Sequence, residues 1–347
     1  MKSYILPEIK DFQPYSSARD EFTGGNMVFL DANENPFEDT VYGAINRYPD
    51  PDARELRSEI AKLRKVNTDH IIVGNGSDEL LDLLLRTTTR ANQDSVVLCS
   101  PTYGMYTVLA RLNGLRVIDC PLTGKFLPDH EAILEATKNI RARIIFLCSP
   151  NNPTGNIIPV ELLVQIVSQT NALVVVDEAY IDFADTPSAI FLLNRFENLA
   201  VLQTFSKAWG LAGLRLGVLF GSTDLTEGIK RVKLPYNVNV LTQRITLERL
   251  RNIQRFDQER EVILKERTRM QSACRALPGI QEVFPSDANF FLIRVNNATD
   301  TYQALLKRGI VVRNRTKEPG LSGCLRISVG TPEENQLLIN ALKEVAG

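Results

Sequence analysis

A lysine beside a hydroxyl residue in a glycine-rich turn is the first group in the sequence that could do chemistry. Lys207 follows Ser206, and Gly210, Gly213 and Gly217 come shortly after it. A lysine that such a turn holds away from water has a lowered pKa and can act as an amine nucleophile. For an isolated lysine the alternative, an ordinary surface charge, is the more common outcome.

Polar groups also follow the apolar runs that are predicted to be strands. Asp177 comes directly after Leu173-Val174-Val175-Val176, and a carboxylate at a buried strand end needs a cationic or donor partner. Gly76-Ser77-Asp78 link another run to an apolar helix, where small residues let backbone N–H groups approach a phosphate. The turn at 149–155 is rich in hydrogen-bonding groups. Each feature alone fits a loop or a helix N-cap equally well, but together they indicate one ligand site.

The elements that position these groups are short β-branched runs alternating with helical stretches. We predict strands at 70–73, 95–99, 116–120, 143–148, 173–177, 199–204 and 214–220. Helices are predicted at 53–67, 78–90, 103–113, 129–139 and 159–169. This alternation predicts an α/β fold with a mainly parallel seven-stranded sheet between helices. Ligands bind such sheets beyond the carboxyl ends of the strands, where the polar groups lie.

The pattern differs at both ends of the chain. Residues 1–50 are rich in turn formers and are predicted to form an N-terminal arm. We predict a large domain at 51–254 and a smaller α+β C-terminal domain at 255–347. The elements expected in the smaller domain are strands at 289–295, 309–313 and 325–329 and a final helix from Glu333. One long helical stretch at about 241–276 is expected to connect the two domains.

Composition and charge argue against several other classes of protein. The net charge is −1, from 40 basic and 41 acidic residues, which gives no excess to attract nucleic acid or an anionic membrane. Without a long apolar span or signal peptide, the protein is expected in the cytoplasm, where its five cysteines stay reduced. The two histidines cannot build a histidine-rich zinc site, so no metal is expected. A dinucleotide site is a weaker alternative, because the third glycine of its motif is missing.

Several of these segments resemble a known enzyme family. Ser206-Lys207, with Arg215 in Gly213-Leu214-Arg215-Leu216-Gly217, resembles the cofactor motif of fold-type-I pyridoxal-phosphate aminotransferases. Asn152-Pro153-Thr154-Gly155 and Asp177-Glu178-Ala179-Tyr180 resemble two upstream blocks of that family. The resemblance is closest to the histidinol-phosphate aminotransferase branch and covers nearly the whole chain. The further segments that carry it are 30–36, 47–50, 101–106 and 325–330.

The resemblance implies a role for each residue around the cofactor ring. Lys207 would carry pyridoxal 5′-phosphate as a Schiff base and then act as the base that moves the substrate Cα proton. Asp177 would keep the pyridine nitrogen protonated. Tyr180 and Asn152 would hydrogen-bond the phenolate oxygen, and Tyr103 would stack on the ring face.

The resemblance also implies how the cofactor phosphate would be bound. Its ligands within one chain would be Gly76, Ser77, Asp78, Ser206 and Arg215. Tyr48 would reach the phosphate in the neighbouring subunit. The protein is therefore expected to be a homodimer with shared active sites.

Substrate contacts are implied at both ends of the chain. Arg326 resembles the arginine that pairs with the substrate carboxylate or phosphate, and Arg313 resembles a second anion contact. Tyr15 and Asn33 resemble residues that close over the substrate. The implied reaction transfers an amino group between L-glutamate and imidazole-acetol phosphate, giving 2-oxoglutarate and L-histidinol phosphate in histidine biosynthesis.

Three alternatives stay open at this point. An aromatic amino acid transaminase and a threonine-phosphate decarboxylase share this fold. A non-catalytic sensor that binds pyridoxal phosphate is the third, since some regulators carry an aminotransferase-like domain. Those regulators have a fused DNA-binding helix-turn-helix, whereas the arm at 1–50 has no helical triplet and no basic excess.

Overall fold

A seven-stranded sheet forms the larger part of the molecule in a computed structural model, which describes residues 3–14, 28–139 and 141–345. Its strands are β1 (Ile71–Asn75), β2 (Ser95–Leu98), β3 (Arg116–Asp119), β4 (Ala142–Cys148), β5 (Leu173–Asp177), β6 (Leu199–Thr204) and β7 (Leu216–Phe220). The spatial order is β1-β7-β6-β5-β4-β2-β3. The strands pair in parallel except β7, which runs antiparallel to both β1 and β6. The predicted strands and the mainly parallel sheet are confirmed.

Burial on both faces explains why these strands are continuous apolar runs. Successive side chains point to opposite faces, so Leu173 and Val175 pack in one core while Val174 and Val176 pack in the other. The helices of this part of the chain are α1 (Pro7–Lys10), α2 (Arg54–Arg64), α3 (Ser77–Thr88), α4 (Met105–Leu112), α5 (His130–Asn139), α6 (Val160–Gln169) and α7 (Thr223–Val232). The five helices predicted here are confirmed, with small shifts at their ends.

A second, smaller sheet follows, as the sequence predicts. Its strands are β8 (Ile280–Val283), β9 (Phe290–Val295), β10 (Arg313–Asn314) and β11 (Cys324–Ser328). They pair antiparallel in the order β10-β11-β9-β8. The helices of this region are α8 (Val240–Arg251), α9 (Ile253–Arg275), α10 (Ala298–Lys307) and α11 (Pro332–Val345). Apolar side chains of α9, α11 and this sheet form a separate core.

The smaller sheet departs from the prediction in two places. The strand predicted at 309–313 is wrong over most of its length, because Gly309 has a left-handed φ of 75° and the Ile310 N–H bonds the Leu305 carbonyl. These residues therefore close the end of α10, and only Arg313 pairs in β10. Strand β8 is not predicted from the sequence, because its polar residues Gln281 and Glu282 are exposed and break the apolar run.

The single helix expected at 241–276 is two helices, α8 and α9. They meet at Asn252, whose side chain accepts a hydrogen bond from the Arg255 N–H at 3.3 Å and so caps the start of α9. Helix α9 packs Phe256 against Trp209, with ring centroids 4.0 Å apart, and places Met270 in the core of the smaller sheet. The domain division near residue 255 remains a prediction, and α9 continues across it.

The N-terminal residues divide into a buried and an exposed part. Residues 4–6 are buried beside the larger sheet. Apolar residues between 28 and 48 are strongly exposed, among them Leu30 at 89% and Phe37 at 80%. Within the described ranges, no helix has the length and apolar character needed to cross a membrane.

Candidate active site

The carboxyl ends of β4, β5 and β6 open into a cleft of about 600 Å³. The predicted site residues that line it are Ser77, Asp78, Tyr103, Asn152, Asp177, Tyr180, Ser206, Lys207 and Arg215. Because β7 runs antiparallel to β6, the residue that precedes it lies at the same edge of the sheet as the residues that follow β6. This topology brings Arg215 and Lys207 into one cleft.

The turn between β1 and α3 forms a cradle for an anion. Gly76 precedes α3 with a φ of +80°, and no side chain of the described residues caps the helix start. A Cβ on Gly76 would lie 2.8 Å from Nη2 of Arg215, and one on Gly217 would lie 2.4 Å from the Ser77 nitrogen. Backbone N–H groups, the Ser206 hydroxyl and the Arg215 guanidinium therefore surround a space that fits a phosphate.

Asp177 is a buried carboxylate at the floor of the cleft. Its Oδ2 accepts a hydrogen bond from the Tyr106 hydroxyl at 2.7 Å, and its Oδ1 accepts one from the Ala179 N–H at 3.0 Å. Burial raises the pKa of Asp177 to about 6, and the two hydrogen bonds oppose that rise. At neutral pH the carboxylate is therefore ionised and can pair with a cation in the cleft.

Lys207 faces the same cleft from the β6–β7 connection. Its Nζ lies 5.6 Å from the centre of the Tyr180 ring. Loss of hydration, followed by repulsion from Arg326, lowers the pKa of Lys207, while attraction to Asp177 raises it. The side chain remains exposed to the cleft, so its amine is both accessible and easier to deprotonate than that of a surface lysine.

Aromatic rings line the cleft on two sides. The Tyr103 hydroxyl donates to Asp78 at 3.1 Å, and the Tyr103 ring meets Tyr106 edge-on at 5.5 Å. On the other side, Tyr180 packs edge-on against Phe290 at 5.0 Å. Tyr103 therefore presents an aromatic side chain at the cleft surface, where a planar ligand could stack.

Arg326 of the smaller sheet contacts the cleft from the opposite side. Arg326 on β11 donates through Nη1 to Asn152 Oδ1 and lies 5.2 Å from the Phe290 ring centre. Its strand partner is Arg313 on β10, which is exposed. Burial, together with the charges of Arg315 and Arg313, lowers the pKa of Arg326, whereas Tyr180 raises it. The anion contacts predicted from the sequence are thus close together on one hairpin.

Sequence reasoning missed two residues of this region. Tyr106, which bonds Asp177, lies in the segment at 101–106 that carries the family resemblance, and that was its only signal. Arg315 forms an ion pair with Glu318 at 2.7 Å and influences Arg326 electrostatically. Its signal was the spacing, because it stands two residues after Arg313 and so belongs to the same face of the hairpin.

Two predicted residues, Tyr48 and Asn33, do not line the cleft of their own chain. Tyr48 is 52% exposed and stacks on Tyr236, with ring centroids 4.4 Å apart. Asn33 is exposed, with a left-handed φ of 55°, and does not line the cleft. Tyr15 lies outside the described residues.

Comparison with known proteins identifies the class of enzyme that this fold and site define. Residues 30–342 match the family model for aminotransferase class I and II. The chain belongs to that family.

Several individual members to which the chain is similar are histidinol-phosphate aminotransferases. The chain is 45% identical to the histidinol-phosphate aminotransferase of Cytophaga hutchinsonii, over 99% of this chain and 98% of that protein. The histidinol-phosphate aminotransferase of Clostridium acetobutylicum has a similar structure, with a TM-score of 0.80, 25% identity and coverage of 87% and 91%. That of Sinorhizobium meliloti, solved in complex with pyridoxal-5′-phosphate, has a TM-score of 0.80, 26% identity and coverage of 86% and 83%.

Proposed function

We propose that this protein uses pyridoxal 5′-phosphate to transfer an amino group between L-glutamate and imidazole-acetol phosphate. The products are 2-oxoglutarate and L-histidinol phosphate, in a step of histidine biosynthesis. The observation that carries the proposal is one cleft that combines the amine of Lys207, the buried Asp177 and the phosphate cradle before α3. The full-length similarity to histidinol-phosphate aminotransferases supports it.

The residues of the cleft fit this cofactor. The N-terminus of α3, Ser206 and Arg215 offer donors to its phosphate. Asp177 offers an ionised carboxylate to the ring nitrogen, and Tyr103 offers an aromatic face. Tyr180 and Asn152 line the remaining side and would bind the ring oxygen. When bound, the cofactor would supply an electron sink for the electron pair that remains when the substrate Cα–H bond breaks.

The protein itself supplies the proton transfer. Because its pKa is lowered, the Lys207 amine loses its proton more readily than that of a surface lysine, and it would take the substrate Cα proton and deliver it to C4′ of the cofactor. Asp177, ionised above about pH 6, would keep a proton on the ring nitrogen. Arg326 bonds Asn152 in the structure. In the reaction its guanidinium group exchanges this bond for one to the substrate anion.

A single-turnover screen of amino donors tests the function. Mixed with the cofactor-loaded protein, L-glutamate and L-histidinol phosphate should each convert the absorbance of the lysine-linked cofactor to that of its amine form. Lys207→Ala should lose this absorbance and all turnover, because Lys207 is the one lysine among the described residues that line the cleft. The matched control is Lys138→Ala, an exposed lysine paired with Glu135 on α5.

The same screen discriminates the alternatives. Reaction with L-phenylalanine but not L-histidinol phosphate would instead indicate an aromatic transaminase. Release of carbon dioxide from threonine phosphate would indicate the decarboxylase, and cofactor binding without any turnover would indicate a sensor. Full activity in Lys207→Ala would contradict the proposed chemistry itself.

We further infer a homodimer with shared active sites. The exposed apolar residues between 28 and 48, together with Leu234 at 72% exposure, form a surface of the kind that a second subunit covers. A hydrogen bond ties this segment to α8, since Nη1 of the Arg244 side chain donates to the Tyr42 carbonyl at 2.9 Å. Tyr48 stacks on Tyr236 and does not line the cleft of its own chain, which supports its use in a partner's cleft.

The cysteines support a cytoplasmic location. All five are unpaired and buried. Free thiols persist in the reducing cytoplasm, whereas secreted proteins usually oxidise them to disulfides. We therefore propose that the enzyme acts in the cytoplasm.

A further inference from the structure

Three arginines lie on one face of the β10–β11 hairpin. Arg313 is paired directly with Arg326, and directly opposed residues of an antiparallel pair point to the same side. The Arg315 N–H bonds the Cys324 carbonyl at 2.9 Å, which continues the ladder beyond β10. Because Arg315 is two residues from Arg313, it shares this face as well. Arg326 contacts Asn152 of the cleft, so the face with the three guanidinium groups is the one directed at the cleft.

The positive charge of this arginine face is only partly compensated. Glu318 pairs with Arg315, and both side chains are largely buried, with 28% and 15% exposure. Glu318 also interacts electrostatically with Arg326 and Arg313, so three guanidinium groups share one carboxylate and the cluster has a net charge of +2. Nε of Arg315 and Nε of Arg326 are also buried without a hydrogen-bond acceptor among the described residues. Buried donors without acceptors favour an anionic ligand.

We propose that Arg315 is a specificity-determining residue that binds the substrate's phosphate in preference to a carboxylate. This role rests on the proposed function. The Arg315 guanidinium would distinguish the phosphate of L-histidinol phosphate from the carboxylates of L-glutamate. A phosphate monoester carries nearly two negative charges and three acceptor oxygens, which matches the net charge of +2 on the cluster of Arg313, Arg315, Arg326 and Glu318. A carboxylate has one charge and two oxygens, which the fork of a single arginine satisfies. L-Histidinol phosphate therefore needs Arg315, and L-glutamate does not.

The test compares the two half-reactions in Arg315→Gln. We expect the second-order rate constant of the half-reaction with L-histidinol phosphate to fall about ten- to hundredfold, which is the effect of losing one charge-assisted hydrogen bond. The value for L-glutamate should change less than about threefold. Arg308→Gln is the matched control, because Arg308 is an arginine of the same domain that pairs with the exposed Glu344 at 3.2 Å. An equal fall for both donors would overturn the inference.

A second variant separates binding from a purely structural role. If Arg315 only anchors the turn through Glu318, then Glu318→Gln should reduce the phosphate half-reaction as much as Arg315→Gln does. We expect Glu318→Gln to lose much less, because it keeps the guanidinium charge. Equal losses in the two variants would overturn the inference.

Inorganic phosphate provides a readout that does not depend on the proposed substrate. It should inhibit the cofactor-loaded wild type, competitively with L-glutamate, and inhibit Arg315→Gln at least about tenfold less. If the wild type did not react with L-histidinol phosphate, the proposed function would fail, but this measurement would still decide the role of Arg315. Equal inhibition of both proteins would count against that role.

Discussion

The charge of Asp177 depends on two donors that the protein supplies. Burial alone would favour the neutral acid, and the hydrogen bonds from Tyr106 and the Ala179 N–H oppose it. The Tyr106 ring is itself fixed, since it is fully buried and stacks on Phe146 with centroids 4.9 Å apart. Tyr106 therefore holds the carboxylate in both position and ionisation state, although it does not line the cleft.

Tyr106→Phe should remove the hydroxyl donor and keep the stacked ring. The pKa of Asp177 should rise by about one unit or more, because a hydrogen bond to the charged form is lost. A carboxylate loses its charge as the pH falls through its pKa, so the acid limb of the rate profile should move to higher pH. The measurement is the half-reaction rate with L-glutamate from pH 5 to 9.

Tyr302→Phe is the control for this prediction. It removes the hydroxyl of a half-buried tyrosine on α10, which packs against the core of the smaller sheet. The acid limb should stay in place in that variant. A Tyr106→Phe profile identical to the wild type would show that the bond to Asp177 does not set its ionisation.

At the scale of elements, the phosphate cradle depends on how closely β7 approaches the start of α3. Gly217 on β7 pairs with Gly74 on β1, which places it directly beneath the turn. A Cβ at Gly217 would meet both the Gly76 carbonyl carbon and the Ser77 nitrogen at 2.4 Å. The strand and the turn can touch only because position 217 has no side chain.

Gly217→Ala should therefore push the turn away from the strand. We expect a loss of about 1–3 kcal/mol in the free energy of unfolding, as for other overpacked sites, and weaker cofactor binding. Urea denaturation and cofactor titration measure the two effects. Gly213→Ala is the matched control, because no atom of the described residues, its chain neighbours aside, lies within 4 Å of its added Cβ. Equal stability in the two variants would contradict the close approach.

Some of the strands and helices could be predicted from the sequence, and others could not. Strands β5 and β6 were predictable because burial on both faces makes them uninterrupted apolar runs. The break at Asn252 was not, because the stretch around it contains no glycine or proline and only tertiary packing shows where one helix stops. The strand predicted at 309–313 does not form over most of its length, because its apolar residues instead close the end of α10.

Among the site residues, too, some could be predicted from the sequence and others could not. Residues directly after apolar runs, such as Asp177 and Asn152, could be assigned to one cleft because parallel strands end at the same edge. Tyr106 could not, since its bond to Asp177 joins residues 71 positions apart. For Arg315 the spacing from Arg313 was the one signal, and it was not sufficient, because the ladder that extends beyond β10 is visible only once the hairpin is formed.

At the scale of the whole molecule, the cleft is built from both sheets. Beside the contact between Arg326 and Asn152, the Asp287 N–H donates to the Gly155 carbonyl at 2.7 Å. These contacts tie the substrate side of the site to its cofactor side. The proposed dimer adds a third contribution, through Tyr48 of a second subunit.

Mixing two defective variants tests whether Tyr48 acts across the dimer. Lys207→Ala and Tyr48→Ala subunits, unfolded and refolded together, should give more activity than the sum of the two alone. In a hybrid dimer, one cleft combines the intact Lys207 of one chain with the intact Tyr48 of the other. Lys207→Ala mixed with Arg215→Ala should show no gain, because both residues line the cleft of one chain. The absence of any gain in the first mixture would mean that Tyr48 serves its own chain.

The reversed direction of β7 has a consequence for sequence change. Because it returns along β6, Lys207 and Arg215 stand near the two ends of a single connection, between Thr204 and Leu216. Loops usually tolerate insertions and deletions. Here one added or removed residue would move the amine and the guanidinium relative to each other, so the length of this connection is as constrained as that of a strand. Variation in length among related enzymes should therefore collect in other loops.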